Sequence, residues 1–274
     1  MGEALPETKH LALELDGRGV LTLTLDRPEV RNAMSMAMVE ELETTCAAIR
    51  DRRDVRVVVM RGAGGHFCAG GDIRDMAMAR GAAHEEGQPD PAAKVNRSFG
   101  RVITTVSRAP QAVVALLEGA VLGGGFGLSC VADVAIAKAD TKFGLPETGL
   151  GLPPAQIAPF LVQRLGPSEA RRLAVTGGRF DGHAAKAIGL VHTVVEDDAG
   201  MTEALEAVLA QILRCAPGAI AATKRILLDV GRVDHDALLD AAADRFAEAV
   251  RGPEGIEGTT AFIQKRKPSW APQD

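Results

Sequence analysis

Two runs of alternating leucines open the chain. Leu11, Leu13 and Leu15 alternate with Ala12 and Glu14; after residues 16–19, Leu21, Leu23 and Leu25 alternate with Thr22 and Thr24. Period two of this kind puts one face on a core, and two such runs around a short polar turn predict a hairpin. Pro28 ends the second strand. Ser35 can cap a helix whose apolar stripe is Met36, Val39, Leu42, Cys46 and Ile49, at helical spacing. Residues 55–60 (VRVVVM) then read as a buried strand, and a glycine-rich segment, residues 62–72, follows directly.

The pattern recurs. Residues 96–108 predict a helix and 112–117 a second buried strand, followed by a second glycine-rich segment at 119–125 and a helix beginning or continuing at 126–131. DVAIAK (133–138) is a third buried strand and 191–195 a short last one. Residues 81–91 (GAAHEEGQPDP) read as a mobile loop, because Gly, Pro and charges dominate them. From about Thr202 strand signals stop and helical stripes take over: Leu205, Leu209 and Ile212, then Leu238, Ala242, Phe246 and Ala249. Strands alternating with helices imply an α/β core with crossovers. The boundary falls between a mixed core, residues 1–197, and a helical part, residues 198–274.

Composition narrows the function classes. A chain of 274 residues, 46% hydrophobic and 24% charged, has enough apolar material for a real core, which excludes disorder as its main description. A net charge of -5 and an aromatic set of 8 Phe, 1 Trp and no Tyr argue against a nucleic-acid surface or a base-stacking platform. Cys46, Cys68, Cys130 and Cys215 lie far apart, without the spacing of a disulfide scaffold or a metal site. No run approaches a membrane span and the acidic, polar N-terminus carries no signal pattern. A cytoplasmic protein without metal is expected.

The glycine-rich turns, GAGGHFCAGGDI (62–73) and EGAVLGGGFGL (118–128), each follow a buried strand. Neither is a Walker A loop or a GxGxxG fingerprint. Glycine lets backbone N–H groups approach a ligand closely, and a helix opening at Gly124 adds free N–H groups that favour developing negative charge. Two such turns could aim one N–H each at a single oxygen, the geometry of an oxyanion hole; equally, the glycines could only make tight turns. Glu147, in the apolar loop FGLPETGLGLPP (143–154), has either a raised pKa and a chemical task or a capping role. Glu118 at a strand end reads as solvated, Asp133 as a binder of backbone N–H groups, and His66 as a turn histidine without a partner.

FCAGGDI, GAVLGGGFGL and FGLPETGLG, in this order and at these separations, together with RPEVRNAMS (27–35) and AFIQKRKPSW (261–270), closely resemble the crotonase superfamily of enoyl-CoA hydratases and isomerases over nearly the whole chain. The resemblance implies a spiral of ββα units and C-terminal helices that pack into a trimer, often a dimer of trimers. It implies an acyl-CoA thioester as substrate and no cofactor besides, since CoA is part of the substrate. The thioester oxygen would be held by the N–H groups of Ala69 and Gly124. Arg31, Ala33, Ala69, Gly71, Asp72, Ile73 and Arg74, with Phe262 and Lys265 reaching across the trimer interface, would contact CoA. Gly123, Leu145, Pro146 and Gly149 would line the substrate pocket. Arg31, Arg74 and Lys265 could equally be ordinary solvated charges.

In typical hydratases of this superfamily one glutamate follows the glycine triplet and a second lies in a PE motif. Here the second is Glu147, but the first is replaced by Gly127. One carboxylate suffices for a proton shuttle between C2 and C4 of an enoyl thioester, which favours a Δ3–Δ2 isomerase. Residues 152–166, 171–182 and 215–224, however, are similar to hydratases of methylglutaconyl and isohexenylglutaconyl type, in which Gly also follows the triplet. Hydration ranks first, isomerisation second, and an inactive acyl-CoA-binding protein third.

Overall fold

The leucine hairpin forms as its alternation predicts: β1 (Leu11–Leu15) pairs antiparallel with β2 (Val20–Leu25), Leu13 opposite Leu23. The computed structural model describes residues 4–84 and 87–272. Ser35 caps α1 (Met36–Ile49), its Oγ accepting the Met38 N–H. β3 (Val57–Gly62), β4 (Ala112–Leu117), β6 (Val134–Lys138) and β9 (Thr193–Val195) add in parallel, giving a six-stranded sheet of order β1-β2-β3-β4-β6-β9.

The unbroken apolar runs of β3 and β4 follow from burial on both faces. Val58, Met60, Val113 and Ala115 join the core that holds α1 and α3 (Pro91–Ser107). Val57, Val59, Val114 and Ile136 face a second core under Met201, Leu209 and Leu213 of α7 (Asp198–Leu213).

A smaller sheet, β5-β7-β8 (Ala120–Leu122, Lys142–Gly144, Arg179–Phe180), stands at the carboxyl ends of the long strands. Two bridges extend it: Cys68 pairs with Val121, and Met34 with Gly71. Three long strands thus lead into a short one and then a helix: β3, residues 68–71, α2 (Ile73–Gly81); β4, β5, α4 (Gly124–Val131); β6, β7, α5 (Ala158–Thr176), and α6 (Gly182–Ala187) lies between β8 and β9. Phe126, Phe143 and Phe180 seat α4 on this small sheet, with centroids 5.6 to 6.4 Å apart. Such edge and stacked pairs each contribute about 1 kcal/mol beyond their buried area.

Several expectations shift. The helix expected over 96–108 starts at Pro91, because the Asp90 carboxylate accepts the N–H groups of Ala92 and Ala93. The loop expected over 81–91 is therefore shortened by helix at both ends, and Glu85 and Glu86 lie outside the described residues. The second glycine-rich segment is not turn alone, since it contains β5. After β9 the described residues form helices: α7, α8 (Pro217–Asp229), α9 (His235–Arg251) and α10 (Pro253–Ile263). Among the described residues no single helix is long and apolar enough to cross a membrane.

Candidate active site

The small sheet brings the two glycine turns together. A Cβ on Gly123 would lie 3.4 Å from Gly70 Cα and 2.9 Å from Glu147 Oε1, so the turns and the carboxylate meet around residues with no side chain. Gly123 has φ +51 and Gly70 φ +108, conformations that select glycine. Gly124 opens α4, and its N–H is one of the first-turn donors that no helix carbonyl can reach. The Gly123 carbonyl accepts the Gly127 N–H at 3.0 Å.

The expectation for Ala69 fails. Its N–H donates to the Arg31 carbonyl at 3.0 Å and is unavailable to a ligand. Two residues on, the Gly71 N–H donates to no described group, while the carbonyls beside it are held: Met34 N–H donates to Gly70 O and Asp72 N–H to Met34 O, both at 2.8 Å. Gly71, expected only as a CoA contact, is the residue of FCAGG (67–71) with a spare donor. A Cβ there would lie 2.6 Å from Met76 Cε and 3.5 Å from Phe99 Cζ, so α2 and α3 wall this side.

Glu147 lies in the short 3-10 turn Pro146–Leu150, with Pro146 fixing its entry and Leu145 buried beneath. The capping alternative fails as well: the side chain caps nothing, and Oε2 is buried without a hydrogen-bond partner. Burial pushes the carboxyl above the usual carboxylate range, its own backbone N–H offsetting this only in part. The folded state therefore holds the Glu147 proton more tightly than the unfolded state. This group's contribution to stability falls as pH rises through the raised pKa. Glu147→Gln is accordingly expected to raise the melting temperature at pH 8, with the difference vanishing as pH falls well below the ordinary glutamate value near 4.3, where both states are protonated. A thermal melt series checks this; a difference independent of pH would contradict it.

Gly127 is buried and closed off. A Cβ there would lie 2.7 Å from Ile103 Cδ1 and 3.2 Å from Ile157 Cγ1. The position where the resemblance would place a second carboxylate is here an apolar wall.

The remaining residues divide. Arg31 has φ 52 and lines a recess of about 450 Å³ with His66, Leu122, Lys142 and Arg179. The recess adjoins the site, since Leu122 precedes Gly123. Among the described residues Arg31, Lys142 and Arg179 have no ion-pair partner; Lys142 and Arg179 escaped sequence reasoning because only the second sheet brings them here. Ala33 lies beside Met34, its carbonyl taken by the Arg27 guanidinium. Asp72 caps α2 and pairs with Arg27 at 2.9 Å. Burial opposes its charge, but the Arg74 N–H and Arg27 outweigh that and hold its carboxyl below the usual range. Ile73 and Arg74 are exposed, Arg74 lying 3.7 Å from Asp72. Gly149 is on the open outer side of its turn. Phe262, 85% exposed, and Lys265 lie at the end of α10, which packs on α9, and the single chain does not bring them to the turns.

Glu118 is not solvated: Lys138 pairs with it at 2.7 Å and Arg61 reaches it at 3.9 Å. His66 has a partner too, its Nδ1 accepting the Ala120 N–H at 3.1 Å. Asp133 does accept the Val113 N–H, and also pairs with Lys224. Fully buried Asn32, with φ 56, accepts the Arg27 N–H and donates to the Ala63 and His66 carbonyls. It braces the first turn, yet only the RPEVRN string marked it. Among the described residues no group of three or more His, Cys, Asp and Glu converges as a metal site would. A larger recess of about 500 Å³, lined by Arg56 and Gln111, opens at the amino ends of β3 and β4. It is remote from the turns, and open α/β sheets bind ligands at carboxyl ends.

The same architecture occurs in solved structures. The chain is 57% identical to Pseudomonas aeruginosa AtuE, with a TM-score of 0.92 over 96% of this chain and all of that one. It is 52% identical to an enoyl-CoA hydratase/isomerase from Marinobacter aquaeolei, with a TM-score of 0.93 over 96% of this chain and 99% of that one. Among characterised sequences, the mevalonyl-coenzyme A hydratase sidH of Aspergillus fumigatus is 31% identical over 98% of each chain. The family model described as enoyl-CoA hydratase/isomerase matches residues 16–273. With the paired glycine turns and the ββα spiral already in place, the chain belongs to the enoyl-CoA hydratase/isomerase family, with a crotonase-type fold.

Proposed function

We propose that this chain adds water across the 2,3 double bond of an acyl-CoA thioester, with Glu147 as its one acid–base group. The observation that carries the reading is the buried, unpartnered Glu147 Oε2 beside two glycine turns that each keep a free N–H. The Gly71 and Gly124 N–H groups take the thioester oxygen, and their attraction grows as charge moves onto it in the transition state. Glu147 removes a proton from a water that attacks C3. The electron pair of the double bond moves to the thioester oxygen as an enolate, and the protonated Glu147 returns the proton to C2. The balance is one hydroxyl at C3 and one hydrogen at C2.

Arg31, Lys142 and Arg179 offer unpaired positive charge for the CoA phosphates, with Ala33, Asp72, Ile73 and Arg74 along the entry. CoA arrives as part of the substrate, and no separate cofactor enters the scheme. Phe246, Ile256, Phe262 and Ile263, each more than half exposed, supply an apolar face for a second copy. A homotrimer or dimer of trimers would bring Phe262 and Lys265 to a neighbour's CoA. The hydratase name of the sidH relative supports hydration. Gly127 favours the second reading, Δ3–Δ2 isomerisation, in which Glu147 alone moves a proton between C2 and C4.

Reaction in D2O, followed by proton NMR, tests the proposal. A 2-enoyl-CoA is expected to give a 3-hydroxyacyl-CoA with one deuterium at C2. A 2-enoyl-CoA that stays unchanged while a 3-enoyl-CoA is converted would replace hydration by isomerisation. Gly127→Glu is expected to lower activity, because its side chain collides with Ile103 and Ile157 and places a charge against them. Overpacking costs about 1–3 kcal/mol, and the unpaired buried charge adds to that. Thermal melts and rates check this; a stable, faster variant would contradict it.

A further inference from the structure

The proposed donors matter only if their direction is fixed, and a peptide N–H is fixed by what holds the carbonyl in the same plane. In a trans peptide the C=O of one residue points opposite to the N–H of the next. The Gly70 carbonyl therefore sets where the Gly71 N–H aims. Two groups hold it from behind: the Met34 N–H at 2.8 Å and the Cys68 thiol, whose Sγ lies 3.6 Å away. The same sulfur accepts the Gly70 N–H at 3.4 Å, so one side chain grips both ends of a residue with φ +108.

Cys68 also reaches the other turn. Its N–H donates to Ala120 O and its carbonyl accepts the Leu122 N–H, both at 2.9 Å. A Cβ on Gly125 would fall 2.6 Å from Cys68 Cβ and 3.2 Å from Sγ, so the first turn of α4 rests on this residue. The thiol is fully buried. Burial pushes it up to about 11, which keeps the S–H intact and leaves no nucleophile.

Resting on the hydratase reading above, we propose that Cys68 is a positioning residue. Its S–H donates to the Gly70 carbonyl and thereby aims the Gly71 N–H at the thioester oxygen, while its backbone fixes the spacing to Gly124. A hydrogen bond onto that carbonyl also polarises the peptide and strengthens the N–H as a donor.

The test uses dimethylaminocinnamoyl-CoA, an enoyl thioester whose absorption moves to longer wavelength when its carbonyl is polarised. Bound to the unaltered protein, it is expected to show a red shift. Cys68→Ala should reduce that shift and lower kcat about tenfold, less than outright loss of a donor, with KM within twofold. Cys68→Ser, which keeps a donor on Cβ, should retain most of both. An unchanged shift in Cys68→Ala overturns the proposal, as does an equal loss in the Ser and Ala variants. Absence of a red shift in the unaltered protein overturns the oxyanion reading itself, a distinct failure. If Cys68→Ala does not fold, the Raman S–H stretch decides, assigned by its loss in Cys68→Ser. A hydrogen-bonded frequency supports the proposal and a free one overturns it.

Discussion

Glu147→Gln is expected to lower kcat for hydration of a 2-enoyl-CoA by about 10²–10⁴-fold, the range of a single acid–base group, with KM changed little. Gln keeps the shape of the side chain but cannot take a proton from water. A second carboxylate cannot compensate, because Gly127 stands against Ile103 and Ile157. Steady-state kinetics check this. Burial raises the Glu147 pKa, so the acid limb of the pH–rate profile should lie above the ordinary glutamate value near 4.3, with activity lost as pH falls through it. A variant that keeps more than about a tenth of the activity would remove Glu147 from the role of base.

Gly124→Pro is expected to lower kcat/KM by about 10²–10³-fold, the cost of one oxyanion donor. Gly124 is the first residue of α4, where proline is tolerated and the missing N–H breaks no helix hydrogen bond. The substitution removes the donor and leaves the helix. Its Cβ collides with Met34 Cε, the flexible end of a side chain, and Met34→Ala in the same chain relieves this, separating crowding from lost hydrogen bonding. The double variant should remain slow and melt close to Met34→Ala alone. Recovery of the rate in the double variant would show that crowding, not the N–H, was the cause.

The parts of this site that a sequence displays are those fixed by local chemistry. The alternating leucines, the Ser35 cap and the buried strand runs each follow from period or capping, and they form where the pattern puts them, except that the strand expected over 55–60 runs from Val57 to Gly62. Glycine turns and a proline–glutamate step are local too, and the family is legible in them. What eluded the sequence depends on partners distant in the chain. Which N–H of the FCAGG turn is spare turns on the Arg31 carbonyl, which occupies Ala69 and leaves Gly71. Glu118 and His66 find partners in Lys138 and Ala120. Lys142 and Arg179 come together only once the second sheet forms. The segment leading into the triplet forms β5, which a glycine-rich string hides.

Hydration through one carboxylate is checked by mass spectrometry of the products. The purified protein and Glu147→Gln are each mixed with a 2-enoyl-CoA and, separately, a 3-enoyl-CoA. The 2-enoyl thioester is expected to gain the mass of one water with the unaltered protein and not with the glutamine variant. Conversion of the 3-enoyl thioester alone, with altered retention and no change of mass, or hydration that persists in Glu147→Gln, would contradict it.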